Sequence, residues 1–284
     1  MKQKHLYWTL GALAAAGATG VLLDALVLEK YFFKVKTYNI GAKKGKHSFR
    51  LALLADLHFK HTLLPHYERL ANKLNQIQPD LLLIAGDTID STGEMEPVRK
   101  FFGLLDQDMK KVAILGNNDY KAGPGVDSLS RVLGQYNCEL LRNKSKSYLL
   151  RGEKVVVTGL DDVLESESEF REAVKDVGRE KYHLLLIHSP LQQEFIKKEI
   201  KKINKERDVA DQLNIGYIFA GHTHGGQVRL PGYVPVLPPR SGDYVNGWYN
   251  ESRPYLYVTK GFGTSTIPLR FMARSEVTIF NYRV

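Results

Sequence analysis

Residues 81–90 read LLLIAGDTID: five apolar residues that run straight into Gly86-Asp87-Thr88-Ile89-Asp90. An uninterrupted apolar run of this length suits a strand buried on both faces. An acidic turn at its carboxyl end puts charge where open α/β sheets gather their ligands. The arrangement recurs four times. FRLALLA (49–55) is followed by Asp56-Leu57-His58, and KVAIL (111–115) by Gly116-Asn117-Asn118-Asp119. LLLIH (184–188) ends in His188-Ser189-Pro190, and GYIFA (216–220) leads into Gly221-His222-Thr223-His224-Gly225-Gly226. Three more strand-length runs are VVVTG (155–159), YLYVT (255–259) and EVTIFN (276–281).

Helical spacing fills several of the gaps. Tyr67, Leu70, Leu74 and Ile77 share one face of 65–78, with Pro65 suited to the first turn. Leu129, Val132, Leu133 and Tyr136 do the same in 125–137, and 191–206 reads as a very basic helix. Alternating strands and helices imply an α/β domain with helices on both outer faces. The last third is richer in strands, which favours two packed sheets over one open sheet. No linker is evident after residue 48, so 49–284 reads as one catalytic domain.

Before it, Leu6 to Leu23 (LYWTLGALAAAGATGVLL) carries no charge. About 18 residues at ~1.5 Å each span roughly 27 Å, close to a hydrocarbon core. Tyr7-Trp8 and Tyr31-Phe32-Phe33 suit the two interfaces. Residues 1–33 are therefore expected to be a retained membrane anchor or signal-anchor, giving a single-pass protein of the cell membrane. A cleaved signal peptide and a buried soluble helix are the alternatives. Lys2 and Lys4 precede the span, while Lys30, Lys34, Lys36, Lys43, Lys44 and Lys46 follow it. Lysine on both sides leaves orientation open. Residues 34–48, rich in Lys and Gly, read as a basic juxtamembrane linker. The net charge of +9 suits anionic partners, and the single Cys138 excludes an intramolecular disulfide and any CxxC zinc pattern.

Taken singly, each strand-end cluster has an ordinary explanation: a polar turn at Asp56 and His58, a helix cap at Asp87, a satisfied half-buried His188. Together, always after a strand, they point to a metal centre. Carboxylate plus imidazole donors suit Mn, Fe or Zn. Seven candidate ligands exceed one tetrahedral ion, whereas two divalent ions about 3.5–4 Å apart sharing a carboxylate would use them all.

These five motifs resemble the calcineurin-like metallophosphoesterase superfamily over roughly residues 48–284. GHTHGGQVRLP (221–231), GLDD (159–162) and KGFGTSTIPLRFMARSEVTIF (260–280) are similar to its membrane-associated, YkuE-like bacterial branch. The resemblance implies a four-layer α/β/β/α sandwich. It implies that Asp56, His58 and His224 hold one metal, that Asp87 bridges, and that Asn117, His188 and His222 hold the other. A hydroxide between the metals would attack phosphorus in line. Asp90 and Asp119 would orient ligands. One departure stands out: Gly116-Asn117-Asn118-Asp119 has Asn118 where the family has a histidine thought to serve the leaving group. An amide donates a hydrogen bond but transfers no proton. That favours pyrophosphate links or activated diesters over alkyl phosphates. His61, His66 and His183 are candidate substitutes that the sequence alone does not place.

The anchor, the loop PGYVPVLPPR (231–240), and the segments Gly261-Phe262-Gly263 and Ile267-Pro268-Leu269 suggest an apolar wall for a phosphorylated, lipid-linked small molecule. A UDP-diacylglucosamine-like pyrophosphate is one such substrate. A metal-binding scaffold with weak catalysis and a nuclease of the same chemistry are the rivals. Nucleic acid is disfavoured because no basic groove interleaved with aromatic residues is evident.

Overall fold

The computed structural model describes residues 2–45 and 47–284; Met1 and the linker residue Lys46 lie outside the described residues. Twelve strands form two six-stranded sheets. The first contains β1 (Lys34–Gly41), β2 (Ser48–Leu54), β3 (Leu81–Ala85), β4 (Lys111–Ile114), β5 (Cys138–Leu140) and β12 (Glu276–Arg283), in the order β1-β12-β2-β3-β4-β5. The second contains β6 (Lys144–Leu150), β7 (Glu153–Gly159), β8 (Tyr182–Leu186), β9 (Ile215–Ala220), β10 (Gly247–Tyr249) and β11 (Tyr255–Val258), in the order β10-β11-β9-β8-β7-β6.

Side-chain alternation along the strands builds the layers. Leu51 and Leu53 of β2 and Leu81 and Leu83 of β3 meet Val155, Val157, Leu184, Leu186 and Phe219 of the other sheet in one buried cluster. The alternate residues Ala52, Leu54, Leu82 and Ile84 face α3 (Pro65–Ile77), α4 (Met95–Leu104) and α6 (Val126–Gln135). On the far side Val156, Leu185 and Ile218 face α7 (Phe170–Ala173) and α8 (Gln192–Glu206). The expected α/β/β/α sandwich is thus present, and both faces of each central strand are dry. A short α5 (Asn117–Lys121) follows β4 directly.

The N-terminal helix α1 (Lys2–Leu23) continues through a wider turn at Asp24–Leu28 into α2 (Glu29–Tyr31). Among the described residues one helix, Tyr7–Tyr31, is long and apolar enough to cross a membrane. Its end is stitched to the domain. Ala25 O accepts from Arg270 N (3.1 Å), Glu29 O from Ser275 N (3.2 Å), and the buried Glu29 carboxylate from Ala273 N (2.7 Å).

The basic linker expected over 34–48 needs correction. Lys34–Gly41 is β1, paired along its whole length, in parallel, with β12. Lys36 turns inward only because the buried Glu276 carboxylate meets it at 2.7 Å, and Tyr38 and Ile40 pack on the inter-sheet core. The sheet interior therefore begins before residue 49.

Candidate metal centre

The carboxyl ends of β2, β3, β4, β8 and β9 converge, and six of the seven expected ligands touch one another. His58 Nε2 lies 3.1 Å from His224 Nε2 and 3.3 Å from Asp87 Oδ2. Asp87 Oδ2 is also 3.5 Å from His188 Nε2, which is 3.2 Å from His222 Nδ1. Asp56 receives His222 N on both oxygens, at 2.9 and 3.1 Å. Asn117, between Gly116 and the Asp87-bound Asn118, has a buried side-chain oxygen with no partner among the described residues. Two groups have the spacing to hold an ion: Asp56, His58 and His224, and Asp56, Asp87 and His188. Asp56 belongs to both, while Asp87 Oδ2 stands between His58 and His188.

The donor chemistry fits cations. His58 Nδ1 donates to Asp90 Oδ2 (3.2 Å), His188 Nδ1 to Ala85 O (2.9 Å) and His222 Nε2 to Pro239 O (2.7 Å). Each outer nitrogen thereby carries the proton and each inner one presents a lone pair. His224 differs: its Nδ1 lies 3.3 Å from the guanidinium of Arg270.

Electrostatics point the same way. Burial, with Asp87 nearby, lifts the Asp56 carboxyl to about 6 against the pull of His188 and His58. Burial and Asp87 lift Asp119 to about 7. Burial would lift Asp87 too, but His188 and His58 hold it well below the usual range. His188, against its own burial, is raised to about 10 by Asp87 and Asp56. Crowded carboxylates that raise one another, countered by a His188 whose imidazole is pulled toward its charged form, mark a site that favours positive charge. His222, buried beside His188, is held down to about 4, and His224 well below its usual value by burial, His58 and Arg270. Both are neutral, as ligands must be.

The backbone is bent to this purpose. Asp56 (φ 53°), His58 (47°), Asp87 (52°), His222 (74°) and His224 (51°) all adopt the left-handed region. Such conformations cost about 1–3 kcal/mol each and persist only where the surroundings impose them. Gly261 (φ 67°) lets the chain pass the Asp56 carboxylate, since a Cβ there would lie 2.5 Å from Oδ2. Phe262 N and Gly263 N then donate to Ala55 O (3.0 Å) and Asp56 O (2.7 Å). The Gly261-Phe262-Gly263 segment is therefore a backbone clamp on the Asp56 loop. Phe262 is core, packed on His66 and Tyr67, and the free apolar wall expected there is not formed.

Asn118 donates from N (2.8 Å) and Nδ2 (2.7 Å) to the two oxygens of Asp87, so its amide steadies that carboxylate. Asp90 also accepts from Thr92 N and Oγ1; burial opposes, yet His58 and Thr92 hold it down to about 2. Asp119 accepts from Gly116 N and Ile89 N, tying β4 to the Asp87 loop. Of the candidate substitute acids, the exposed His61 pairs with Glu94, and His183 of β8 bonds Thr158 of the neighbouring β7. His66 is buried beside Phe262.

Sequence reasoning missed Arg270. It is fully buried, and its guanidinium donates to the carbonyls of Gly263, Lys260, Ala273 and His224. The only signal was a charge inside the apolar run IPLRFMA (267–273).

A carboxylate-imidazole cluster with two adjoining cation sites, at the strand ends of an α/β/β/α sandwich, defines a metal-dependent phosphoester hydrolase. The family model described as calcineurin-like phosphoesterase matches residues 49–226, and the chain belongs to that family. The uncharacterized metallophosphoesterase YkuE of Bacillus subtilis is 27% identical over 282 residues, covering 96% of this chain and 92% of the relative. An uncharacterized metallophosphoesterase of Aquifex aeolicus is 28% identical, covering 91% and 95%. A transmembrane protein with metallophosphoesterase domain from Danio rerio is 27% identical, covering 81% of this chain and 52% of its own length.

Proposed function

We propose that the chain is a phosphodiesterase or pyrophosphatase acting on a membrane-associated, lipid-linked substrate. The observation that carries the hydrolytic part is Asp87, whose Oδ2 lies between His58 and His188 inside a buried donor cluster. Asp56, His58 and His224 would hold one divalent cation, His188, His222 and Asn117 the other, and Asp87, between His58 and His188, would be shared by both. Two such ions supply an activated water and neutralise charge on the phosphoryl oxygens. The protein's own part is to fix the donors. Asp90, Ala85 O and Pro239 O set the tautomers of three histidines, and Asn118 holds Asp87.

With its amide committed to Asp87 and no proton to give, Asn118 favours leaving groups that depart unprotonated. Pyrophosphate links meet that condition. The lipid-linked part is supported by exposed apolar residues near the cluster. Leu230, Tyr233 and Val236 lie in the loop whose Pro239 O receives His222, and Ile267 lies in the segment bonded to the N-terminal helix.

The test is turnover by the full chain in detergent with Mn²⁺. Bis-p-nitrophenyl phosphate, a lipid-linked sugar-nucleotide pyrophosphate and DNA oligomers are compared. The expected result is preference for the lipid pyrophosphate, abolished by Asp87→Asn. Preference for DNA, or turnover indifferent to Asp87→Asn, sinks the reading.

A further inference from the structure

Between the end of the N-terminal helix and the metal cluster lies a cavity of about 110 Å³, lined among others by Lys30, His58, Lys60, His66, Phe262 and Thr264. One wall is therefore a metal-binding histidine and another is the last turn of the membrane-type helix. Neither ammonium group is tightly paired. Lys30 Nζ reaches Pro268 O at 3.4 Å and has no carboxylate partner among the described residues. Lys60 Nζ reaches Ser265 O at 3.4 Å and Asp90 Oδ2 only at 3.8 Å.

His66, the second residue of α3, is 2% exposed, and its Nδ1 has no partner among the described residues. A buried polar atom left unbonded costs about 1–3 kcal/mol, so a ligand in this cavity that bonds it would be stabilised by a similar amount. Burial, with Lys30 and Arg69 nearby, holds this imidazole down to about 3, which makes it a neutral hydrogen-bonding group. Leu64, Phe262 and Pro268 supply apolar parts of the lining, but two ammonium groups and an imidazole around the same small space repel a metal ion. An apolar occupant would leave all three polar groups unsatisfied. What satisfies them is an oxyanion.

We propose that this cavity receives a second phosphoryl group of the substrate, held by Lys30, Lys60 and His66 beside the phosphorus that reacts at the metal centre. The proposal rests on the phosphoesterase reading above and narrows the substrate to one with two adjacent phosphoryl groups. It also makes the helix end part of the substrate site, because Lys30 is supplied by α2.

The experiment uses the full chain with Mn²⁺ in neutral detergent micelles. It measures kcat/KM for a pyrophosphate diester and, as the substrate with a single phosphoryl group, for bis-p-nitrophenyl phosphate. In Lys30→Gln the ratio of the two is expected to fall about tenfold, as for a lost hydrogen bond to a charged group. Lys60→Gln should lower it similarly, and Lys30→Arg should restore most of it. Exposed Lys201→Gln on α8 is the control. Metal content of two ions per chain in Lys30→Gln separates a lost subsite from a damaged fold. A ratio within twofold of the unmodified chain in Lys30→Gln overturns the proposal. So does a Lys30 effect that appears only when phosphatidylglycerol is added, which would assign the cavity to a lipid headgroup. If the unmodified chain cleaves neither diester, the phosphoesterase reading falls as well. Cleavage of both with an unmoved ratio removes the second-phosphoryl subsite alone.

Discussion

The two halves of the metal cluster are held by different means. His188 and His222 give their outer protons to main-chain carbonyls, Ala85 O and Pro239 O, neutral acceptors fixed by the fold. His58 gives its proton to a carboxylate, Asp90, and His224 sits against the guanidinium of Arg270. One half is thus positioned by backbone and the other tuned by charge. Charged partners alter ligand basicity far more than carbonyls do. The charge-tuned half should therefore respond to single substitutions remote from the metals, and the backbone-held half should not.

Asp87 is common to both halves, and removing its charge should be the most damaging change. Asp87→Asn is expected to lower turnover by several kcal/mol, on the order of 10³-fold. Metal analysis should show both sites weakened; loss from one half alone would break the picture of a shared carboxylate. Arg270→Lys keeps the charge but loses the planar fork that spans four carbonyls. It is expected to cost about 2–3 kcal/mol of stability in denaturant unfolding and to weaken the first site selectively.

Asp90→Asn should reduce affinity at the first site by about 10–100-fold and leave the second unchanged. Calorimetric Mn²⁺ titration resolves the two, and equal losses would erase the distinction. Thr92→Val removes only the hydroxyl that steadies Asp90 Oδ1 at 2.8 Å. It should shift the same site by about 1 kcal/mol, roughly fivefold. No shift would mean that Asp90 is oriented by His58 and the Thr92 amide alone.

The sandwich was legible because buried parallel strands require unbroken apolar runs, and the ligands follow those runs directly. Edge strands escape that logic. β1 (KVKTYNIG) is half-exposed and lysine-rich, so it reads as a linker, and the similar β6 (KSKSYLL) offers no unbroken apolar run to mark a strand. The inward turn of Lys36 depends on Glu276, some 240 residues away in sequence, which no local pattern reveals. α4 was missed as well, its helical spacing blurred by Pro97 in the first turn and by a length of ten residues. Residue types announced the metal cluster, but the left-handed backbone beneath Asp56, His58, Asp87, His222 and His224 is imposed by distant contacts. Gly261 and Gly263, far along the chain, make several of those contacts possible.

Only Phe32 and Phe33 separate α2 from β1, and β1 is zipped to the final strand over eight residue pairs. Such a joint has no slack. Were the N-terminal helix to span a membrane, the catalytic body would travel with a fixed heading and a fixed height, as a turret bolted to its shaft rather than a buoy on a rope. The orientation of the active face is then a property of the chain itself, and lengthening the joint by a few flexible residues would surrender it while leaving every metal ligand in place.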